Sequence, residues 1–284
     1  MFSFFKKSSK KDIKLICFDI DNTLCDFASA ETITEAYLME LISTDITNIQ
    51  KHLQLKSPSD HKRNKRIDIN IERAIENPCS PFMIMKIFND IKSFHMRNGE
   101  KPEKYSRALW FRETLKRLDE DTALGISVNT LIKKCEIYEK KYWDSIIKNI
   151  KNYPNTISTL NYLKAKNFKL ATITDSDGKK DIKMIRLASI GLDKYFDYII
   201  TTDDTGFTKP AEINWTNLLE ISGLKAEQCI MVGDHPEIDL ITAKKLGFIT
   251  IWTKERLNTD LSQKYVDYEI HNIKEIIDIV EKLT

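Results

Sequence analysis

The stretch Leu15-Ile16-Cys17-Phe18-Asp19-Ile20-Asp21-Asn22-Thr23-Leu24 sets four apolar residues directly before two carboxylates. A short apolar run that ends in turn-forming residues is typical of a strand buried in a parallel sheet. Side chains two residues apart point to the same side of an extended chain, so we expect Asp19 and Asp21 to face one pocket. The stretch predicts a buried first strand with a pair of carboxylates at its carboxyl end.

Similar apolar runs recur in the second half of the chain, where they alternate with amphipathic helical segments. The predicted strands there are residues 170–174, 198–201, 230–234 and 248–252, and a helix over residues 273–280 follows them. This alternation predicts an α/β fold with a parallel sheet that helices cover on both faces. Ligands of such sheets bind at the carboxyl ends of the strands, so we expect the polar residues found there to meet at one edge.

The middle of the chain lacks this alternation. Residues 31–42, 81–94, 104–118 and 130–147 have helical patterns, whereas residues 43–70 are polar, poorly periodic and predicted to be rich in loops. We therefore predict two domains, an α/β core made of residues 1–26 and 153–284 and an inserted, mostly helical domain made of residues 27–152. Four aromatic residues of the insert fit its core better than a platform for stacking a ligand: Trp110, Phe111, Tyr142 and Trp143.

The polar residues at the predicted strand ends suit phosphoryl transfer. A carboxylate such as Asp19 is ionised at pH 7 and can act as a nucleophile, and a second one such as Asp21 can donate and accept the protons of the reaction. Lys209 can bind phosphate as a point charge, and Thr174 can donate a hydroxyl hydrogen bond. Because two carboxylates repel a phosphate, a cation must neutralise them, and Mg²⁺ prefers such oxygen ligands.

These residues lie in four segments that resemble, in chain order, the motifs of the haloacid dehalogenase superfamily, whose members are mostly phosphatases. The segments are Asp19-Ile20-Asp21-Asn22-Thr23-Leu24-Cys25-Asp26, Thr174, Lys209-Pro210 and Val232-Gly233-Asp234-His235-Pro236-Glu237-Ile238-Asp239. One such motif is a weak signal, whereas four in order at strand ends are specific. The resemblance implies a Rossmann-like core. The insert resembles the helical cap of the subfamily that includes N-acylneuraminate-9-phosphatases and pyrimidine 5′-nucleotidases.

The resemblance also implies roles in catalysis and metal binding. Asp19 would be the nucleophile and a ligand of Mg²⁺. Asp21 would be the general acid and base, with its backbone carbonyl as another metal ligand, and Asp234 would complete the set of protein ligands. Haloacid dehalogenases generally lack the second aspartate, because a halide leaving group needs no proton. The presence of Asp21 therefore favours hydrolysis of a phosphoester.

The remaining matched residues would hold the phosphate. The resemblance assigns this role to Thr174 and Lys209, and it implies that Asp239 orients Lys209 or a metal-bound water. The chain departs from the family pattern at Asp175, where many members have asparagine. An anion at this position repels phosphate unless it points away or pairs with a cation, so we keep Asp175 as a candidate residue on the substrate side.

These inferences predict a Mg²⁺-dependent phosphatase that forms an aspartyl-phosphate intermediate on Asp19. Its substrate would be a small phosphorylated metabolite, either a sugar phosphate or a nucleoside monophosphate. A phosphomutase also keeps both aspartates and stays open. A core that has lost catalysis and serves as a binding module, for example for RNA through the basic run at residues 61–66, is the other alternative. The complete motif set argues against it.

Composition restricts the partners and the compartment. Charged residues make up 30% of the chain but the net charge is only +2, whereas nucleic-acid-binding proteins usually have a larger basic excess. No apolar run approaches the roughly 20 residues that cross a bilayer. The five cysteines are odd in number and include no C-x-x-C pair, which favours reduced thiols. We expect a cytoplasmic protein with no nucleic-acid or membrane partner, and the sequence does not indicate an oligomeric state.

Overall fold

The structure is a computed structural model, which describes residues 10–56, 79–122, 125–256 and 263–284. These residues form two compact units. One unit contains the described residues of Met1–Ala28, Glu100–Pro102 and Ile150–Thr284, and the other contains those of Ser29–Gly99 and Glu103–Asn149.

The first unit is built on a parallel sheet. Its strands in the described residues are β1 Leu15–Phe18, β2 Lys169–Thr174, β3 Tyr198–Thr201, β4 Cys229–Gly233, β5 Ile249–Thr253 and β6 Tyr268–Ile270. They lie in the order β3-β2-β1-β4-β5-β6, and every neighbouring pair is parallel. The sheet and its helices confirm the predicted α/β, Rossmann-like fold class with a helical insert.

Helices make up most of the remaining described residues. The α-helices are α1 Phe27–Lys56, α2 Pro81–Asn98, α3 Arg107–Thr122, α4 Val128–Asn149, α5 Thr156–Ala165, α6 Lys180–Ser189, α7 Thr202–Thr205, α8 Ile213–Ser222, α9 Ile241–Leu246 and α10 Ile276–Leu283. A π-helical segment, Pro236–Leu240, precedes α9. Short 3₁₀ turns occupy Pro102–Tyr105, Asp193–Tyr195, Ala226–Gln228, Gln263–Tyr265 and Ile273–Glu275. Within the ranges that the structure covers, we find no helix that is both long enough and apolar enough to span a membrane.

Burial explains which strands the sequence predicts well. All four residues of β1 are fully buried, and Leu15 and Cys17 pack in one core cluster with Trp215 and Leu218 of α8. Fully burying such an apolar side chain contributes roughly 1.5–3 kcal/mol. The first five strands lie within one residue of their predicted bounds. The sixth strand, β6, is missed because it has three residues and only Ile270 is buried, which leaves no apolar run to detect.

The strand order places the end of β1 at a binding position. The chain passes from β1 to β2 and β3 on one side of the sheet, and then to β4, β5 and β6 on the other. A crevice forms outside the carboxyl ends of the strands where the order reverses. Asp19 follows β1 directly, so this residue lies at the reversal point.

The helical unit has an aromatic core. Its buried rings contact one another at centroid distances of 5.0–6.2 Å, and these rings belong to Phe88, Trp110, Phe111, Tyr138, Tyr142 and Trp143. This packing confirms the expectation that the aromatic residues of the insert form its core. The same core encloses Arg107, which is 4% exposed and pairs with Glu31 at 3.1 Å.

The expectation of a loop from residue 43 onwards is wrong for residues 43–56, because α1 continues to Lys56. Ile42 and Ile46 are buried one helical turn apart and hold the helix against its unit. The hydroxyl groups of Ser43 and Thr47 donate to backbone carbonyls, so these polar residues are compatible with the helix. Residues 57–70, with the basic run at 61–66, lie outside the described residues.

Candidate active site

The turn after β1 fixes the Asp19 carboxylate. The N–H of Asp19 donates to the Val232 carbonyl of β4 at 2.9 Å, which extends the strand pairing by one residue. Asn22 has a left-handed conformation, with φ of 64°, which asparagine tolerates better than most residues. Its Oδ1 accepts from the N–H of Ala28 at 2.9 Å. Thr23 Oγ1 donates to Asp19 Oδ2 at 3.1 Å, so the turn itself orients the carboxylate.

Lys209 lies between two carboxylates at the same edge of the sheet. Its Nζ is 2.6 Å from Asp19 Oδ1 and 2.7 Å from Asp239 Oδ1, and its side chain is 3% exposed. One oxygen each of Asp19, Asp234 and Asp239 lies within 4.8 Å of the other two. The structure therefore brings together four of the predicted residues, which come from three separate motifs. We call Asp19, Lys209, Asp234 and Asp239 the Lys209 cluster.

The approach of Asp239 to the sheet depends on Gly233. Gly233 ends β4, and Asp239 lies in the π-helical segment that follows. A Cβ atom at position 233 would lie 2.4 Å from the Asp239 Cβ, which is too close for any other residue. Asp239 Oδ2 accepts from the His235 N–H at 3.0 Å, while Oδ1 faces Lys209. Both oxygens of Asp239 are thus engaged within the protein.

The Lys209 cluster is short of positive charge. Three carboxylates surround one ammonium group, which gives a net charge of −2 when all are ionised (three negative, one positive). Burial, together with the neighbouring Asp239 and Asp21, raises the pKa of Asp19 to about 7 although Lys209 opposes the shift. Burial, Asp239 and Asp19 likewise raise the pKa of Asp234 well above its usual range.

The geometry and charge of this cluster suit a divalent cation. Mg²⁺ takes oxygen ligands at about 2.1 Å, so ligands on opposite sides of it are roughly 4.2 Å apart. The carboxylate oxygens, which lie within 4.8 Å of one another, approach that spacing. The +2 charge of the cation would also neutralise the net negative charge of the cluster. Each of the three carboxylates can offer an oxygen to such a cation, and two of them, Asp19 and Asp239, also accept a hydrogen bond from Lys209.

Thr174 and Asp175 lie beside the Lys209 cluster. Thr174 ends β2, and its buried Oγ1 has no hydrogen-bond partner in the ranges that the structure covers, so it can donate to a ligand. Asp175 Oδ1 accepts from the backbone N–H of Lys209 at 3.1 Å. Burial acts to lower the pKa of Lys209, but Asp19, Asp239 and Asp175 raise it well above its usual range. Asp175 thus supports the position and charge of Lys209.

The side chain of Asp21 belongs to a second cluster. Arg186 binds it with two hydrogen bonds, of 2.5 Å from Nη1 to Oδ1 and 2.7 Å from Nη2 to Oδ2. Lys183 Nζ adds a third, 3.0 Å from Oδ2. Both cations also contact Asp177, at 2.9 Å from Lys183 and 2.8 Å from Arg186. We call Asp21, Asp177, Lys183 and Arg186 the Arg186 cluster.

The side chains of Asp19 and Asp21 contact different cations, although Asp21 lies near enough to contribute to the raised pKa of Asp19. Burial acts to raise the pKa of Asp21, but Arg186 and Lys183 hold it well below its usual range. The sequence patterns do not indicate Lys183 or Arg186 as residues of a site. Their spacing of three residues on α6 puts them on one helix face, but most such pairs are exposed, so the spacing alone does not indicate a site.

Comparisons with known proteins identify the family and several relatives of this chain. The family model for haloacid dehalogenase-like hydrolases matches residues 13–247. The chain is 39% identical over 136 residues to a glyceraldehyde 3-phosphate phosphatase of Methanocaldococcus jannaschii, a match that covers 47% of this chain and 58% of that protein. It is 31% identical over 129 residues to a phosphoglycolate phosphatase of Aquifex aeolicus, which covers 44% and 59% respectively. Both matches span less than two thirds of the relative's length.

A solved structure of similar fold is that of a HAD phosphatase from Thermococcus onnurineus. The two chains align with a TM-score of 0.61 and 23% identity, over 94% of this chain and 98% of that one. This likeness shows the shared fold. Because the family model matches most of the sequence, the resemblance found in the four motifs is confirmed, and the chain belongs to the haloacid dehalogenase-like hydrolase family.

Proposed function

We propose that the protein is a phosphatase that hydrolyses small phosphomonoesters with Asp19 as the nucleophile. The observation that carries this proposal is the Lys209 cluster. In this cluster the buried Asp19 carboxylate lies against the Lys209 ammonium group, and the carboxylates outnumber the cations. The unpartnered hydroxyl of Thr174 next to it can bind a phosphate oxygen. Family membership, and relatives that are named phosphatases, support the same activity.

In the proposed reaction, a carboxylate oxygen of Asp19 forms a bond to phosphorus as the bond to the leaving oxygen breaks. The leaving oxygen takes a proton from the protonated carboxyl group of Asp21 and departs as an alcohol. A water molecule then loses a proton to Asp21 as it attacks the aspartyl phosphate, and the bond between phosphorus and the Asp19 oxygen breaks, which releases inorganic phosphate and restores the Asp19 carboxylate. Lys209, at 2.6 Å from Asp19, stabilises negative charge on the phosphoryl group during both steps.

The other residues of the site hold these groups in place. Asp239 orients Lys209 Nζ through their 2.7 Å contact, and Asp175 holds the Lys209 backbone. Asp19 and Asp234 would hold Mg²⁺, which when bound supplies the positive charge that lets a phosphate approach these carboxylates. Thr174 donates to the phosphate through Oγ1.

Asp21 is the proposed general acid and base. An alkoxide leaving group needs a proton, whereas a halide does not, so a second carboxylate favours ester hydrolysis over dehalogenation. The Asp21 side chain is 24% exposed, more than any other member of its cluster, and can therefore be reached by a leaving group or a water molecule. A phosphomutase would also need this residue, and the assay below separates the two activities.

The proposed substrate is a small, anionic sugar phosphate or phosphorylated acid. Relatives of this chain are named for glyceraldehyde 3-phosphate and for phosphoglycolate. The test is phosphate release from these two compounds, from hexose phosphates and from nucleoside monophosphates, with Mg²⁺ and with Asp19→Asn as the control. We expect kcat/KM for the small sugar phosphates or acids to exceed that for nucleotides by on the order of tenfold or more.

Two outcomes of this assay would contradict the proposal. Phosphate release no greater than that of Asp19→Asn across the whole panel would exclude a phosphatase of such metabolites. Movement of the phosphoryl group within a sugar, without release of inorganic phosphate, would instead identify a phosphomutase. A preference for nucleoside monophosphates would be consistent with a phosphatase but would contradict the proposed substrate class.

A further inference from the structure

Helix α6 brings two buried cations to the turn that follows β1. The side chains of Lys183 and Arg186 are 1% and 0% exposed. Lysine and arginine are almost never fully buried unless they are paired, and both of these contact Asp21 and Asp177. The four charges balance, because two carboxylates face two cations. The cluster has no excess charge that calls for a further ion.

The geometry of Arg186 restricts where the Asp21 carboxylate can lie. Nε and Nη2 of the guanidinium donate to Asp177 at 2.8 and 3.1 Å, and Nη1 and Nη2 donate to Asp21 at 2.5 and 2.7 Å. The guanidinium carbon also lies 4.8 Å from the centre of the Phe27 ring. Because the guanidinium is planar and its donors have fixed directions, its contacts with Asp177 set the plane of the Asp21 carboxylate.

Lys183 adds a second constraint. Its Nζ lies 3.0 Å from Asp21 and 2.9 Å from Asp177, so it joins the same two carboxylates as Arg186. Asp177 is only 3% exposed and anchors both cations. Asp21 therefore has both carboxylate oxygens bonded, and rotation about its side-chain bonds would break ion pairs. The one member of the cluster with appreciable exposure is the one that the proposed mechanism uses.

Stability alone is a weak reason for this arrangement. Burying charged groups carries a large desolvation penalty, and replacing a buried ion pair with apolar residues of similar volume is often neutral or stabilising. A fixed carboxylate beside the nucleophile is a functional reason, because proton transfer requires heavy atoms at hydrogen-bond distance. A misplacement of about 1 Å can lower a rate on the order of 10²-fold.

We propose that Lys183 and Arg186 are positioning residues for Asp21, with Asp177 as their anchor. This inference rests on the proposed function, in which Asp21 transfers protons to the leaving group and from water. Helix α6 then sets the direction of the proton-transferring carboxylate, while the Lys209 cluster holds the phosphoryl group. The two tasks are carried by separate sets of cations.

The test compares an ester that needs a proton with one that does not. Glycerol phosphate has an alkoxide leaving group, whereas 2,4-dinitrophenyl phosphate releases a stable phenolate. The measured quantity is kcat/KM, which includes the steps up to departure of the leaving group. We expect Arg186→Met to lower kcat/KM by about 10²-fold for glycerol phosphate and by less than about tenfold for the dinitrophenyl ester. Arg186→Lys should keep part of the lost activity.

A matched control lies on the same helix. Lys180 pairs with Asp204 and its side chain is 44% exposed, so Lys180→Met removes a cation from α6 without touching the cluster. We expect this variant to hydrolyse both esters within about twofold of the natural protein. Thermal unfolding of each variant checks that the fold is kept. If Arg186→Met does not fold, Lys183→Met and Arg186→Lys measure the same ratio.

A double-mutant cycle shows whether Arg186 acts through Asp21. If it does, Arg186→Met should change the hydrolysis of glycerol phosphate by less than about threefold when Asp21→Asn is already present. Equal losses on both esters, or losses that multiply in the double variant, would overturn the positioning role and leave the phosphatase intact. If the natural protein hydrolyses neither ester with Mg²⁺, the proposed function fails, and the positioning role fails with it.

Discussion

The Lys209 cluster and the Arg186 cluster contain the same kinds of side chain, yet their charges balance differently. Three carboxylates share one cation in the first, whereas two carboxylates face two cations in the second. Burial raises the pKa of Asp19 to about 7, whereas Arg186 and Lys183 hold the pKa of Asp21 below its usual range despite burial. The net negative charge of the Lys209 cluster favours binding of a cation. The balanced charges of the Arg186 cluster instead fix the position of the Asp21 side chain.

Removing the divalent metal should lower the activity more than any of the substitutions that follow. Chelation with EDTA is expected to lower kcat/KM at least about 10³-fold for every ester, because the uncompensated carboxylates then repel phosphate. Excess Mg²⁺ should restore the activity. The Arg186→Met variant should show the same metal dependence, since Arg186 contacts Asp21 and Asp177 and not the carboxylates of the Lys209 cluster. Full activity in excess chelator would contradict the inference that the Lys209 cluster needs a cation.

Removing Lys209 should have the next largest effect. Lys209→Met deletes the ammonium group that lies 2.6 Å from Asp19, and the loss is expected to be about 10²- to 10³-fold in kcat. Since this residue acts on the phosphoryl group, glycerol phosphate and 2,4-dinitrophenyl phosphate should lose activity alike. A loss confined to glycerol phosphate would mean that Lys209 acts on the leaving group, and the distinction between the two clusters would be wrong.

Removing the hydroxyl of Thr174 should have a smaller effect. Thr174→Val deletes a single donor to phosphate and is expected to lower kcat/KM about tenfold, as for the loss of one hydrogen bond to a charged group. Thr172 offers a matched control, because its Oγ1 is also buried without a partner in the described part of the chain and it lies two residues earlier on β2. Steady-state kinetics of Thr172→Val should be unchanged. Equal losses in the two variants would indicate damage to β2 instead of to a phosphate contact.

Sequence patterns predict the parts of this molecule that have a continuous apolar run or a family motif at the end of a strand. The buried strand β1 is continuous in apolar residues, and the motif residues that follow each strand converge because parallel strands end at one edge. The partners Asp19, Lys209, Asp234 and Asp239 were therefore accessible from spacing and resemblance. Gly233 was part of the same motif, and the 2.4 Å approach of Asp239 explains why a glycine is needed there.

The Arg186 cluster could not be predicted in the same way. Lys183 and Arg186 lie in a helix rich in charged residues, where burial depends on how the helix packs and not on local pattern. The length of α1 was missed for a different reason. Polar residues outnumber apolar ones over residues 43–56, and they obscure the helical spacing of Ile42, Ile46, Ile49 and Leu53.

Identification of the phosphorylated residue is the most direct test of Asp19 as the nucleophile. Enzyme with Asp21→Asn is mixed with 2,4-dinitrophenyl phosphate and Mg²⁺, so that the intermediate forms without a proton donor and is hydrolysed slowly. Reduction with borohydride, which converts an aspartyl phosphate into homoserine, is followed by peptide mass spectrometry. We expect modification at Asp19, and none when Asp19→Asn is added. A phosphoryl group on a serine or histidine, or on another aspartate, would contradict it.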